Sequence, residues 1–140
     1  MDLKTFFYSF ERGCDWQPAA VGLVEGDELD TAVLLSLFTD RRAEPGDDVE
    51  GDPRGWWGDA IPIGDERAVP LGSRLWLLAR EKQTASTLRR AEAYGREALQ
   101  WLIDDGHARA LDIAASAPRT GLLRLDVAID SQPFRFELTP

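Results

Sequence analysis

The spacing of hydrophobic positions along the chain changes period once, and the change divides it into a helical part and a sheet. From about Leu29 to Phe38, Val33, Leu34, Leu37 and Phe38 recur at helical spacing and predict an amphipathic helix. Asp27 or Asp30 is placed to cap its start. Leu75-Trp76-Leu77-Leu78 is apolar nearly all round and predicts a buried helix capped by Ser73. The longest helix is expected from about Ala85 to Asp105, capped by Thr84 or Ser86. Leu88, Ala91, Gly95, Ala98, Leu99 and Leu102 line one face of it, and Tyr94 and Trp101 widen that face. Gly106 fits the left-handed position that ends a helix.

After Gly106 the period drops from 3.6 to 2. Leu111, Ile113 and Ala115 alternate with Asp112 and Ala114, and 117–121 reads as a turn. Leu123, Leu125, Val127 and Ile129 alternate with Arg124, Asp126 and Ala128. Phe134, Phe136 and Leu138 alternate with Arg135 and Glu137. This pattern predicts a three-stranded antiparallel meander with one wet face and one face covered by the helices, a two-layer α+β fold. The closing segment 134–138 is expected at a sheet edge, with backbone groups open to another chain.

At 140 residues the chain is expected to form one domain. Its parts are an N-terminal arm (1–28), a helix (29–39), a long loop (40–72), helices (73–106) and the sheet (107–140). The arm reads as irregular, with an aromatic patch at Phe6, Phe7, Tyr8 and Phe10 and a short strand around 20–24. Ten glycines and prolines punctuate residues 43–72, and structureless spans of that length inside a domain are usually functional. The first half of this loop is acidic, and the second carries Gly55-Trp56-Trp57-Gly58-Asp59. Two adjacent indoles between glycines suit a loop that docks on a partner. The alternative is a loop that packs under the segment after Ser73 and plugs its own domain.

Composition narrows the function. Twenty-five acids against 16 bases give a net charge of −9, which argues against nucleic acid and against an anionic membrane as partners. No segment is long and apolar enough to span a bilayer, and the N-terminus lacks a signal-peptide pattern. Cys14 stands alone, so no internal disulfide is expected. With one histidine, His107, and one cysteine, neither a zinc site nor a histidine-activated nucleophile is expected. Asp48, Glu50 and Asp52 have the first spacings of a calcium loop, but its glycine position is Pro53. Glu11 with Asp15, or Asp59 with Asp65, is nameable as a glycosidase pair, but so are many acid pairs in so acidic a chain, and solvated loop carboxylates are the better reading. No cofactor is expected. Asp104 and Asp105 oppose the dipole at the end of the long helix and call for a cation such as Arg109 or one from another chain.

The segments Thr31–Arg42, Arg54–Asp59, Gly72–Leu78 and Ala98–Gly106, in that order, resemble the Mu-type phage tail family of gene product forty-six. The resemblance covers about Asp30 to Ile129. That family is similar to the baseplate wedge subunit of contractile-tailed phages once described as lysozyme-like. The resemblance implies a non-enzymatic wedge component, present in six copies per baseplate, made in the host cytoplasm and housed in the virion tail. It implies contacts with the large wedge proteins and strand pairing with the tail sheath protein, where the sheath begins. The positions assigned to such contacts are Trp56, Trp57, Asp59, Arg74, Arg109, Phe134 and Phe136. The wider wedge family carries Glu-Pro-Arg between its last long helix and its strands. Here that junction is Asp104–Arg109, which lacks the triplet, and the resemblance assigns the same contact to Arg109. The rivals are a lysozyme-like hydrolase of cell-wall glycan and a host-cell adaptor with an acidic docking face.

Overall fold

The computed structural model describes the backbone of residues 2–3, 5–9, 13–16, 25–26 and 28, and residues 29–49, 51–56, 59, 70–79 and 81–139. Four short strands come first: β1 (Asp2–Leu3), β2 (Thr5–Ser9), β3 (Gly13–Trp16) and β4 (Glu25–Gly26). Helix α1 (Glu28–Phe38), a four-residue 3-10 turn (Leu75–Leu78) and helix α2 (Ala85–Asp104) follow. The chain closes with β5 (Leu111–Arg119), β6 (Leu122–Ile129) and β7 (Gln132–Leu138).

The C-terminal strands form the expected antiparallel meander in the order β5-β6-β7. Alternation decides which face is buried. Leu111, Ile113, Leu123, Leu125, Val127, Ile129 and Leu138 are buried beneath the helices. The opposite face carries charge, with Arg124 paired to Glu137 at 3.0 Å and Asp126 to Arg135 at 2.7 Å across β6 and β7. The β6–β7 turn is two residues long, and both, Asp130 (φ 49°) and Ser131 (φ 71°), are left-handed, which matches the twist of the strands. Asp130 Oδ1 also accepts the N–H groups of Arg109 and Ala110 at 2.8 and 2.9 Å. Those two bonds hold its carboxyl below the usual range and tie the turn to the start of β5.

Helix α2 begins at Thr84, whose hydroxyl accepts the Thr87 N–H at 3.3 Å, and ends through Gly106 at φ +77°. It lies over β5, with Ala91, Gly95, Ala98, Leu99 and Leu102 buried. Helix α1 packs beside it over β7. The Phe38 and Phe136 rings meet edge-on at 5.3 Å, and Trp101 Nε1 donates to Ser36 Oγ at 2.9 Å. These contacts complete the two-layer α+β arrangement that the hydrophobic pattern implied.

Three readings differ from what is observed. The turn expected at 117–121 is confined to Thr120 and Gly121, because β5 runs on through Arg119, which pairs with Leu122. Leu75–Leu78 is a single 3-10 turn, and the residue preceding it, Arg74, gives no side-chain cap. Ser73, one residue further back, does accept the Leu75 N–H on its Oγ at 3.3 Å, as expected, and has a second partner described below. Within residues 2–26, where an irregular arm was expected, β1 pairs with β4 and β2 with β3, both antiparallel. Pairing of this kind satisfies backbone groups without any strong side-chain pattern, which is why the pattern did not reveal it. The strand expected around 20–24 and the cap at Asp27 lie outside the described residues. Asp30 sits inside the first turn of α1.

Gly95 shows how closely the layers approach. A methyl group there would lie 3.4 Å from Ile113 Cδ1 and 3.7 Å from Leu125 Cδ2, ordinary contact distances. Gly95→Ala is therefore expected to stabilise the protein by about 0.5–1 kcal/mol through helix propensity. Gly95→Leu is expected to cost about 1–3 kcal/mol by overpacking. Urea unfolding of both variants checks this, and an alanine variant weaker than the parent would show that the layers cannot accept a methyl group.

Candidate functional site

The long loop is fastened where its two ends cross. Ser73 N–H donates to Thr39 C=O at 2.9 Å, and Arg41 N–H donates to Ser73 C=O at 3.0 Å, a parallel bridge of one residue pair. Ser73 Oγ donates to Leu37 C=O and satisfies a carbonyl that the end of α1 leaves open. Gly72 makes this crossing possible. Its φ is +99°, and a Cβ would fall 2.2 Å from the Thr39 carbonyl oxygen.

Two arginines fix the crossing to α2. Arg41 is buried; its Nη1 lies 3.1 Å from Glu97 Oε1, its Nε donates to Gly72 C=O at 3.0 Å and its Nη2 to Pro70 C=O at 2.8 Å. Arg74 Nε lies 3.0 Å from Glu97 Oε2, and its Nη1 lies 3.1 Å from Asp47 Oδ1 and 3.5 Å from Glu44 Oε2. The Arg74 guanidinium also lies over the Tyr94 ring at 4.7 Å. One carboxylate, Glu97, thus serves two guanidinium groups through its two oxygens. A buried charge needs such a set of partners, because leaving one unpaired costs several kcal/mol.

The shifts in pKa follow from this geometry. Burial opposes the charge of Asp47, but the Glu44 N–H at 2.8 Å and the Arg74 guanidinium outweigh it and lower its pKa. Burial likewise opposes Arg74, and its bonds to Asp47 and Glu97 reverse the effect and raise its pKa.

The tryptophans divide in a way the sequence did not indicate. Trp76 is the indole sealed under the loop. It is buried, its Nε1 donates to Arg41 C=O at 2.8 Å, and the Arg54 guanidinium stacks on its ring at 4.5 Å. Trp56 is 41% exposed at the loop surface, and Trp57 lies outside the described residues. Arg54 (φ 58°) and Gly55 (φ 114°) are both left-handed, and Arg54 is held there by Asp40 Oδ2 at 2.7 Å. This bent pair sets the direction in which Trp56 leaves the body.

The other expected contact residues are placed as follows. Asp59 Oδ1 accepts the Leu71 N–H at 3.1 Å and so holds one part of the loop to another. Arg74 points inward to the network just described. Arg109 donates its backbone N–H to Asp130, and no ion pair joins its guanidinium to Asp104 or Asp105 among the described residues. Asp104 instead accepts from Gln100 Nε2 at 3.1 Å. Phe134 and Phe136 are half-buried on the helix-facing side, so β7 offers its backbone edge outward rather than these rings. Arg41, Asp47 and Glu97 were not singled out from sequence. The available signal was the pairing of Arg41 and Arg42 directly after an apolar stripe.

A family model described as Phage protein GP46 matches residues 29–133, from the first residues of α1 into β7. The chain belongs to this family. It is 46% identical over 112 residues to "Baseplate protein gp46" of Escherichia phage Mu, a match spanning 78% of this chain and 74% of that protein. It is 42% identical over 107 residues to "Mu-like prophage FluMu protein gp46" of Haemophilus influenzae, spanning 76% of this chain and 71% of that protein. The family match contains the loop crossing, both arginines and Glu97; β1 to β4 lie outside it.

Two outcomes test the crossing. Gly72→Ala should destabilise the protein by at least about 2 kcal/mol, since strain at positive φ adds to a backbone collision. Asp47, with its lowered pKa, contributes stability above its unfolded value of 3.8 and loses it as pH falls through the lower folded value. In acid titrations followed by circular dichroism, Asp47→Asn should be less stable than the parent at neutral pH, with the difference closing below about pH 4.

Proposed function

We propose that the protein is a structural component of a phage tail baseplate. The observation that carries this is its 46% identity to the baseplate protein of phage Mu, over a length that takes in most of both chains. Within that role we assign it to the wedge, where its loop meets a larger wedge protein and β7 pairs with a strand of the tail sheath protein.

The edges of the sheet support the assignment of β7. Starting from the two-residue turn, the register turns residues 133, 135 and 137 outward on β7. Pro133 has no N–H, which leaves the N–H groups of Arg135 and Glu137 as the donors of that edge. On the opposite edge Glu92 of α2 takes the Ala115 N–H at 3.0 Å, and Gln83 takes the Gly121 N–H just beyond β5 at 3.1 Å. A side-chain acceptor lying on a strand edge obstructs an incoming strand, so β7 is the better acceptor of the two.

The gathered carboxylates favour a structural role over hydrolysis. A glycosidase needs an acid with a raised pKa facing a second carboxylate across a cleft. Asp47 has the opposite shift, and Glu97 is bound by two arginines.

Co-expression with the adjacent large wedge protein should yield a complex that survives purification at moderate salt. Loss of that complex under gentle conditions would overturn the assignment. Purified peptidoglycan should show no turnover, and turnover abolished by one Asp→Asn or Glu→Gln change would establish the hydrolase instead.

A further inference from the structure

Among the described strands, β7 pairs with β6 and with no other, so one of its edges is open. The outward backbone groups belong to residues 133, 135 and 137, and the two faces of the strand differ in character. Phe134, Phe136 and Leu138 lie on the helix-facing side, and Arg135 and Glu137 lie on the wet side.

The wet-side charges are only half used within the chain. Arg135 donates to Asp126 through Nε, and neither of its Nη groups has an acceptor among the described residues. Glu137 accepts Arg124 Nη2 on Oε1, and its Oε2 accepts nothing among the described residues. The two side chains are 63% and 50% exposed. A neighbouring strand with an acid opposite Arg135, an apolar residue opposite Phe136 and a base opposite Glu137 would extend both ion pairs into ladders.

In antiparallel pairing that requirement is base, apolar, acid from N- to C-terminus. β7 itself has this order in Arg135-Phe136-Glu137. Two copies of the strand therefore complement each other about a twofold axis at Phe136. Arg135 meets the partner's Glu137, and Glu137 the partner's Arg135, each pair exchanging both backbone bonds through outward N–H and C=O groups. On the helix side Phe136 meets the partner's Phe136, and Phe134 the partner's Leu138. Pro133, which has no N–H, falls at the end of the pairing. A slip of two residues sets Arg135 against Arg135 or Glu137 against Glu137, and a slip of one breaks the match of faces. Charge and pleat thus select one register.

We infer that the free protein associates through β7 with a second copy of itself, joining the two sheets across an isologous interface. One short strand pair buries less than the ~1,200 Å² at which stable interfaces begin, so the dimer is weak and forms with concentration. The net charge of −9 on each copy opposes it, and about 150 mM NaCl screens that repulsion beyond about 8 Å. The edge involved is the one assigned above to a sheath strand. Self-pairing does not depend on that assignment; it covers open backbone in the free protein and excludes a sheath strand while it lasts.

Sedimentation velocity of the full chain from about 5 to about 500 μM, at that salt, should show a monomer passing into a dimer. Arg135→Glu and Glu137→Arg each set like charges against each other at both ends of the pairing, and each alone should weaken the dimer at least about tenfold. Mixing the two variants should restore it, because two acids of one chain then face two bases of the other. Arg135→Gln adds no repulsion against Asp126 and should weaken the dimer about fivefold. It decides the matter if circular dichroism shows a charge-reversed chain to be unfolded. A parent that stays monomeric at the top of the concentration range would overturn the inference, as would a dimer that the single reversals leave intact or that the mixture fails to restore. Those results leave the baseplate reading standing, since co-purification with the wedge protein tests it separately. Loss of that co-purification with the dimer intact would overturn the baseplate reading and support the self-pairing.

Discussion

The crossing of Thr39–Arg41 with Gly72–Ser73 is the constraint on which the rest of the structure depends. It turns a long span rich in glycine and proline into a closed loop with fixed stems. Without it the end of α1 and the 3-10 turn have no common anchor, and Trp76 has no carbonyl for its N–H. The crossing is mostly backbone chemistry, yet one side chain of zero size decides it. Gly72 admits the Thr39 carbonyl into space that any other residue would fill.

Charge secures what the backbone sets out. Arg41 and Arg74 come from opposite stems of the loop and meet on Glu97 of α2, so a single carboxylate ties three segments together. The planar, forked guanidinium suits this task. Arg41 directs separate N–H groups to a carboxylate and two carbonyls, which a lysine ammonium matches poorly. Arg54 and Arg74 also place flat faces on Trp76 and Tyr94, so the polar network is continuous with the aromatic packing below it.

Much of the fold was legible in the sequence because it follows from local periodicity. The stripe of Val33, Leu34, Leu37 and Phe38, the thin face around Gly95 and the alternation from Leu111 to Leu138 each identify an element and its buried side. The site was far less legible because its contacts span 23 to 36 residues of chain, beyond the reach of any local period. Ser73 looks like a helix cap and its hydroxyl does accept the Leu75 N–H, but the same hydroxyl also donates back to α1, which no local pattern reveals. The paired tryptophans after Gly55 admit both a docking loop and a plug for the domain; Trp76 is a buried indole, and Trp56 is at the surface. Nothing in an indole's immediate neighbours says which carbonyl will accept its proton. The short pairings of β1 with β4 and β2 with β3 escaped for a related reason, since backbone bonding can join segments without a hydrophobic signature.

Because both stems are clamped at one place, the span between them is released from setting the position of the helices. The entropy of closing such a loop rises only logarithmically, by about 0.6 kcal/mol for each doubling of its length. A change of length away from Asp47, Arg54 and Asp59, which are themselves bonded to the stems or the body, therefore adds little to the cost of closing the loop.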